Sequence, residues 1–200
     1  MIEIPVYYDF ASTICYVTHR VMERMAPELR ARDVTLVWRP IDLARITGWP
    51  RGVDVEGPRR DNALRVATEF GVSLHMPPRW LDSRAAHAVA LELRGTPSEP
   101  AWRERVWCAV FEEARCLDDD ADLERLGADL GLDVAALTAP PALARVDAET
   151  RTAYEAGITG VPTFDLDGWF LCGLQDETTT RLLLDRFLER KRTRTAKDPD

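Results

Sequence analysis

The sequence predicts an α/β fold: a strand–helix–strand unit, a long all-helical block, then a β-hairpin and a closing helix. Three observations carry this expectation. Residues 3–38 pass from a β-rich run to helical apolar spacing and back to a β-rich run. From about 60 to 157 every periodic segment is helical. Strand signals return only around Asp167-Gly168, a dipeptide that favours a two-residue hairpin turn.

Residues 3–8 (EIPVYY) alternate weakly and are rich in β-formers, which reads as a first strand. Ile14, Val17, Val21, Met22, Met25 and Leu29 then mark one face of a helix over 13–31, with Ser12 at its N-cap position. Val34-Thr35-Leu36-Val37-Trp38 reads as a second strand, ended by Arg39-Pro40. A helix long enough to cross over implies that these two strands lie parallel. Residues 42–58, with Gly and Pro clustered, read as a loop.

Five helical segments follow: RRDNALRVATEFGV, SRAAHAVALELRG, EPAWRERVWCAVFEEARC, DADLERLGADLG and DAETRTAYEAG. Gly71, Gly95, Gly131 and Gly157 stand at helix C-termini. Thr163-Phe164-Asp165-Leu166 and Trp169-Phe170-Leu171 form the hairpin, and an amphipathic helix over about 176–190 closes the chain. The expected organisation is a discontinuous α/β domain over 1–58 and 152–190, with a helical insertion over 59–151. The charged segment 191–200 (KRTRTAKDPD) is expected to be disordered.

A chain of 200 residues with 46% hydrophobic content can bury a sizeable core. Its net charge of −8 argues against nucleic acid or an anionic membrane as a partner. No apolar run approaches the roughly 20 residues that span a bilayer. MIEIPVYYDF lacks the basic and long apolar regions of a signal peptide, so a cytoplasmic location with reduced thiols is expected. The four cysteines (15, 108, 116 and 172) form no CxxC and no metal-ligand spacing, and no metal is expected. Cys108 and Cys116, eight apart in a helical segment, would stand about 12 Å apart and could not bridge. Asp118-x-Asp120-x-Asp122 hints at a calcium loop, but Leu123 stands where the loop needs Gly, so an acidic helix start is the reading. His75 and His87 show no metal or triad spacing, and Trp38, Trp80, Trp102 and Trp107 are expected in the core.

Two stretches carry a family resemblance. Asp9-Phe10-Ala11-Ser12-Thr13-Ile14-Cys15-Tyr16 lies on the D-x-x-C-P-x-C-Y turn of the DsbA-like branch of the thioredoxin superfamily, and Gly157-Ile158-Thr159-Gly160-Val161-Pro162-Thr163-Phe164 lies on its G-V-x-G-V-P-T-F. Ser83-Arg84-Ala85-Ala86-His87-Ala88 and Cys172-Gly173-Leu174-Gln175 add weaker support. The resemblance implies a thioredoxin-like fold with a cis proline at Pro162. In that family the disulfide oxidoreductases carry cysteine at both ends of the turn. The glutathione-dependent relatives, kappa-class glutathione transferases and 2-hydroxychromene-2-carboxylate isomerases, carry serine at the first position. Ser12 matches the second group, as does the loop with Arg39-Pro40 and Gly48-Trp49-Pro50. Cys15 matches the oxidoreductases at its position, and Leu174-Gln175 also looks like the oxidoreductase side. Members are often dimers, so a homodimer is among the assemblies implied.

The chemistry of the residues runs in the same direction. The start of the helix at residue 13 presents free N–H groups and a partial positive charge, which favour an anion. Ser12 can donate a charge-assisted hydrogen bond to a thiolate brought in by a ligand, worth about 1.5–3 kcal/mol. That lowers the ligand's pKa by about 1–2 and ionises a free thiol near neutrality. Ser12 as a covalent nucleophile is poorer, because the nearest histidine, His19, lies two helical turns down. Cys15 is either a small buried apolar residue or a lone thiol able to form a mixed disulfide. The backbone of Val161-Pro162-Thr163 can pair with a peptide-like ligand such as glutathione.

Gln175 and Asp176, at the start of the last helix, can hold a ligand amino group or backbone, although capping explains Asp176 equally well. Arg39, Arg51, Arg59 and Arg60 are either carboxylate ligands or surface charges. The expected function is an isomerase or transferase that uses glutathione or another low-molecular-weight thiol on an electrophilic or isomerisable substrate. The alternatives are an oxidoreductase with a degenerate SxxC turn working through Cys15, and a non-catalytic binding module.

Overall fold

The computed structural model describes residues 1–117 and 119–197. Strand β1 (Ile2–Tyr8) is followed by helix α1 (Thr13–Ala31) and strand β2 (Val34–Pro40). Six helices come next: α2 (Leu43–Thr47), α3 (Pro58–Glu69), α4 (Arg84–Glu92), α5 (Ser98–Phe111), α6 (Asp120–Ala128) and α7 (Val134–Leu137). Helix α8 (Pro140–Glu155), strands β3 (Thr163–Leu166) and β4 (Trp169–Cys172), and helix α9 (Glu177–Lys197) complete the order. This is the expected thioredoxin-like α/β arrangement.

The sheet order is β2-β1-β3-β4, with β1 parallel to β2 and antiparallel to β3. Strand β1 is thus central, and its alternate residues Ile4, Val6 and Tyr8 are fully buried, as a period of two requires. The core that they enter also takes Val17 and Val21 from α1, and Val89, Trp102, Val106 and Trp107 from the helical block. The sheet and helices α3 to α7 therefore share one core, while α8 packs in two smaller clusters, against α4 and against Ile41 and Ile158. In the hairpin, Asp167 and Gly168 both have positive φ (57° and 84°), the conformation that a two-residue type I′ turn demands.

Several boundaries differ from the sequence reading, each for a local reason. Strand β2 runs on through Pro40, which is tolerated because β2 is an edge strand and Pro40 ends it. The expected loop after it contains α2, capped by Asp42 and ended by Gly48 in the left-handed region. Helix α5 stops at Phe111, five residues before Cys116: the N–H groups of Glu112 and Glu113 both bond back to Cys108 O, and Ala114 turns left-handed. Cys108 and Cys116 thus do not share a helix, and both are free. Helix α8 begins at Pro140, earlier than expected, with proline in its first turn. Helix α9 continues through Lys197 instead of ending near 190. Residues 177–198 contain neither Gly nor Pro, and the Lys191 ammonium bonds Asp167 Oδ1 at 2.7 Å. The expected disordered tail is therefore helical up to Lys197, and its last three residues lie outside the described ones, as does Asp118 of the calcium-loop hint. In that segment Asp119 caps α6 by accepting from the Asp122 N–H at 2.8 Å.

Candidate active site

The turn after β1 is built on Asp9. This carboxylate is buried and accepts four hydrogen bonds. Oδ1 takes them from the Ala11 N–H (2.8 Å), Ser83 Oγ (2.7 Å) and His87 Nε2 (3.2 Å), and Oδ2 takes one from the Leu43 N–H (2.7 Å). Burial pushes its pKa up, but the neighbouring His87 and the bonds from His87, Ser83 and Ala11 outweigh this and hold it below the ordinary value. Asp9 thereby ties the turn to the starts of α2 and α4. Beneath the turn, Phe10 stacks on His87 at 5.0 Å and meets Trp107 edge-on at 5.5 Å, which fixes it from the core side.

Ser12 is the N-cap of α1, as its position predicted. Its Oγ accepts from the Cys15 N–H at 3.2 Å, and its own N–H bonds Asp9 O at 3.0 Å. The Thr13 and Ile14 N–H groups have no partner among the described residues, and no acidic residue occupies the first turn. The positive end of α1 therefore faces the Ser12 hydroxyl with no anion bonded to its first N–H groups, and the nearest carboxylate, Asp9, is bound to other donors. Cys15 is fully buried. Burial pushes its thiol up to about 12, against a smaller opposing pull from the Ser12 hydroxyl beside it. At neutral pH such a thiol is protonated and a poor nucleophile.

The Val161–Pro162 peptide bond is cis. Tyr7 pairs with Thr163 in the β1–β3 ladder, so continuing that register sets Pro162 across from Tyr8 and Val161 across from Asp9. The Val161 N–H and C=O have no hydrogen-bond partner among the described residues, while Pro162 O accepts from the Gly173 N–H at 2.8 Å. Thr163 is buried, with its hydroxyl donating to Gly160 O at 2.8 Å. Ser12 and the 161–163 segment thus both lie toward the C-terminal end of the central strand.

Gln175 and Asp176 fall elsewhere. Gln175 lines an apolar cavity between α1, the sheet and α9, with Met22, Leu36 and Leu184. Asp176 caps α9: its Oδ1 accepts from the Thr179 N–H (2.8 Å) and its Oδ2 from the Thr179 hydroxyl (2.7 Å), and these bonds lower its pKa. The capping explanation accounts for its position.

On the other flank of the turn, Asp9, Ser12, Trp49, Arg59, Trp80 and Ser83 line a cleft with about 20 Å³ of free space. That holds about one water, whereas ligand pockets run to several hundred Å³. Residues 48–57 close it by backbone pairing with the helical block: the Gly52 N–H bonds Trp80 O, the Trp80 N–H bonds Val53 O, and the Val55 N–H bonds Pro78 O, all at 2.8 Å. Arg51 pairs with the buried Asp42. Arg59 lies between the indoles of Trp49 and Trp80. Arg60 pairs with Asp61 at 3.5 Å, and Arg39 contributes to neither arrangement. The sequence reading gave no role to Asp9, and none to Ser83 or His87 beyond the resemblance of their segment. Only that segment could have found them, because their contacts to Asp9 span 74 and 78 residues.

A second cluster joins α1 to α5. His19 Nε2 lies 2.9 Å from Glu104 Oε2 and 3.5 Å from Glu23 Oε1, a grouping able to hold a metal by distance alone. Arg20 already bonds both carboxylates, at 2.6 Å to Glu23 and 2.9 Å to Glu104, and Glu112 at 2.5 Å, so the lone pairs a metal would need are partly taken by a guanidinium within the protein.

The DSBA-like thioredoxin domain family model matches residues 3–185. The chain belongs to the DsbA-like thioredoxin family. Solved structures share this DsbA-like fold. A 2-hydroxychromene-2-carboxylate isomerase is 22% identical, with 98% of each chain covered and a TM-score of 0.73. A probable DsbA oxidoreductase from Streptomyces coelicolor is also 22% identical, covering 94% of this chain and 91% of that one, with a TM-score of 0.74. The cytosolic disulfide reductase DsbM from Pseudomonas aeruginosa, solved with GSH, is 19% identical over 98% of this chain and 100% of its own, with a TM-score of 0.63. Curated protein sequences give no match. No described helix is long and apolar enough to cross a membrane.

Proposed function

We propose that this DsbA-like protein is an isomerase or transferase that uses a low-molecular-weight thiol, glutathione or a relative, as co-substrate. The observation that carries this reading is the contrast within one turn. Ser12 stands at the N-terminus of α1, whose first turn holds no acidic residue, while Cys15, the chain's only turn cysteine, is fully buried with its thiol pushed up to about 12. Such a site stabilises a thiolate without supplying one. The thiol of the ligand would give up its proton, and its sulfur would receive the Ser12 hydroxyl and the Thr13 and Ile14 N–H groups. The unpaired Val161 N–H and C=O would take the backbone of the cysteinyl unit as an added strand.

The thiolate then adds to an electrophilic carbon of the substrate. On a carbon–carbon double bond conjugated to a carbonyl, the displaced electron pair moves to the carbonyl oxygen as an enolate. In an isomerase the carbon–sulfur bond breaks again after rotation, the double bond re-forms and the thiol regains its proton. In a transferase the enolate takes up a proton, equivalent to the one the thiol released to solvent, and the bond is kept. The presence of GSH in the DsbM structure supports a thiol ligand on this fold. A ligand larger than water requires residues 48–57 to shift from the closed arrangement, or entry along the Val161 edge. The test is a titration with glutathione followed by tryptophan fluorescence and melting temperature. A saturable response weakened by Ser12→Ala supports the reading; no response to glutathione, cysteine or coenzyme A sinks it.

A further inference from the structure

Arg59 is placed in a way that a surface charge does not require. Its guanidinium carbon lies 4.0 Å from the Trp49 ring centroid and 3.8 Å from that of Trp80. With an indole near each face, the group offers its in-plane N–H edge for hydrogen bonding. Among the described residues no carboxylate or carbonyl meets that edge, whereas the neighbouring Arg51 is bound to Asp42. Burial lowers the Arg59 pKa, with the charge of Asp9 opposing, and a guanidinium remains cationic at neutral pH regardless. Arg59 and Ser12 line the same cleft.

We propose that Arg59, clamped between Trp49 and Trp80, is a specificity-determining residue of the Ser12 cleft and binds the carboxylate of an electrophilic organic-acid co-substrate. This deepens the thiol-dependent reading and rests on it for the word co-substrate. Topology separates the two ligands. Residues 43–59 follow β2 on one flank of β1, whereas 161–163 precede β3 on the other. A thiol paired with Val161 therefore leaves the Arg59 flank for the molecule with which its sulfur reacts. The chemistry favours a carboxylate over a phosphate: Arg59 is a single planar fork matched to a bidentate monoanion, and the buried Asp9 in the same cleft disfavours a dianion. A ligand body larger than water enters the cleft only when residues 48–57, which carry Trp49, shift from the closed arrangement; Trp49 is 44% exposed on that segment.

The experiment uses benzoate and its uncharged counterpart benzamide as probes, with tryptophan fluorescence as readout, on wild type, Arg59→Lys and Arg59→Met. Glutathione is titrated in parallel. Wild type is expected to bind benzoate at least tenfold more tightly than benzamide. Both variants are expected to lose at least tenfold for benzoate while glutathione affinity stays within threefold. Arg59→Lys keeps the charge and the stem, so it remains informative if Arg59→Met fails to fold. Equal binding of benzoate and benzamide, or of benzoate by wild type and both variants, overturns the proposal. A parallel loss of glutathione affinity overturns the co-substrate assignment, because Arg59 would then hold the thiol's own carboxylate. Benzoate discrimination without any glutathione binding upholds the anion subsite and sinks the thiol-dependent reading.

Discussion

Ser12 is asked to do two things, and substitution can separate them. Its Oγ accepts the Cys15 N–H at 3.2 Å as a helix cap, and its hydroxyl proton is proposed to reach the ligand's sulfur. Removing an N-cap costs about 1 kcal/mol, which in a domain of this size lowers the melting temperature by about 2–4 °C. Losing a hydrogen bond to a charged sulfur costs about 1.5–3 kcal/mol, or a weakening of thiolate binding by roughly 10- to 150-fold. Ser12→Ala should show both losses and Ser12→Thr neither. Ser12→Asp is the decisive variant, since aspartate caps as well as serine but presents a negative charge to a thiolate. It should melt closer to wild type than Ser12→Ala does and yet fail to bind glutathione. The assay is glutathione affinity by fluorescence between pH 6 and 9, beside a melting curve for each variant. If Ser12→Asp binds glutathione as wild type does, Ser12 is a cap alone and the argument fails.

Other outcomes follow from the same structure. Cys15 and Cys108 both have thiols pushed up to about 12, and Cys15, being fully buried as well, should be the slowest of the four cysteines to alkylate with iodoacetamide at pH 8, while Cys172, which is exposed, should be the fastest; rapid labelling of Cys15 by mass spectrometry would favour the SxxC oxidoreductase reading. The pKa values of Asp9 and Glu104 are both depressed, Glu104 chiefly by its hydrogen bond with His19. Their stabilisation is complete above the ordinary carboxylate range of about 4 and is lost as pH falls below it toward the folded values; a urea midpoint unchanged between pH 7 and pH 3 would contradict this. Asp9→Ala leaves four donors without their acceptor in the interior and should cost about 3–5 kcal/mol in urea unfolding. Gly127→Ala would drive a Cβ into the buried Val134 side chain, which must shift or push α7 from α6, at about 1–3 kcal/mol in urea unfolding.

Features set by a few neighbouring residues were readable in the sequence. Ser12 and the bounds of α1 follow from cap chemistry and apolar spacing, and the hairpin follows from Asp167-Gly168. Helix α2 was not readable, because five residues make too short a window for a period of 3.6. The end of α5 was missed because nothing in EEARC marks a break; the turn is made by two N–H groups sharing Cys108 O. In the site itself, the Ser12-capped start of α1 was legible and its support was not. Asp9 gathers Leu43, Ser83 and His87 from distant elements, and the Trp49–Arg59–Trp80 stack closes only when loop 48–57 meets the helical block. Neither has a spacing that a single sequence displays.

The electrostatics of the turn explain why an external anion suits it better than an internal one. The nearest acidic group, Asp9, is saturated by four donors and does not draw on the Ser12 hydroxyl or on the Thr13 and Ile14 N–H groups. The nearest internal sulfur, Cys15, is fully buried among core residues, so its ionisation would be opposed by desolvation larger than the help that Ser12 gives. A ligand thiolate arriving at the helix end would remain partly solvated. It would gain about 0.3–1 kcal/mol from the helix dipole and about 1.5–3 kcal/mol from Ser12. Together these lower a thiol pKa by about 1–3, enough to ionise glutathione-like thiols at neutral pH. The same turn therefore holds its own sulfur protonated, and under the proposed function it would favour the ionised form of a sulfur supplied from outside.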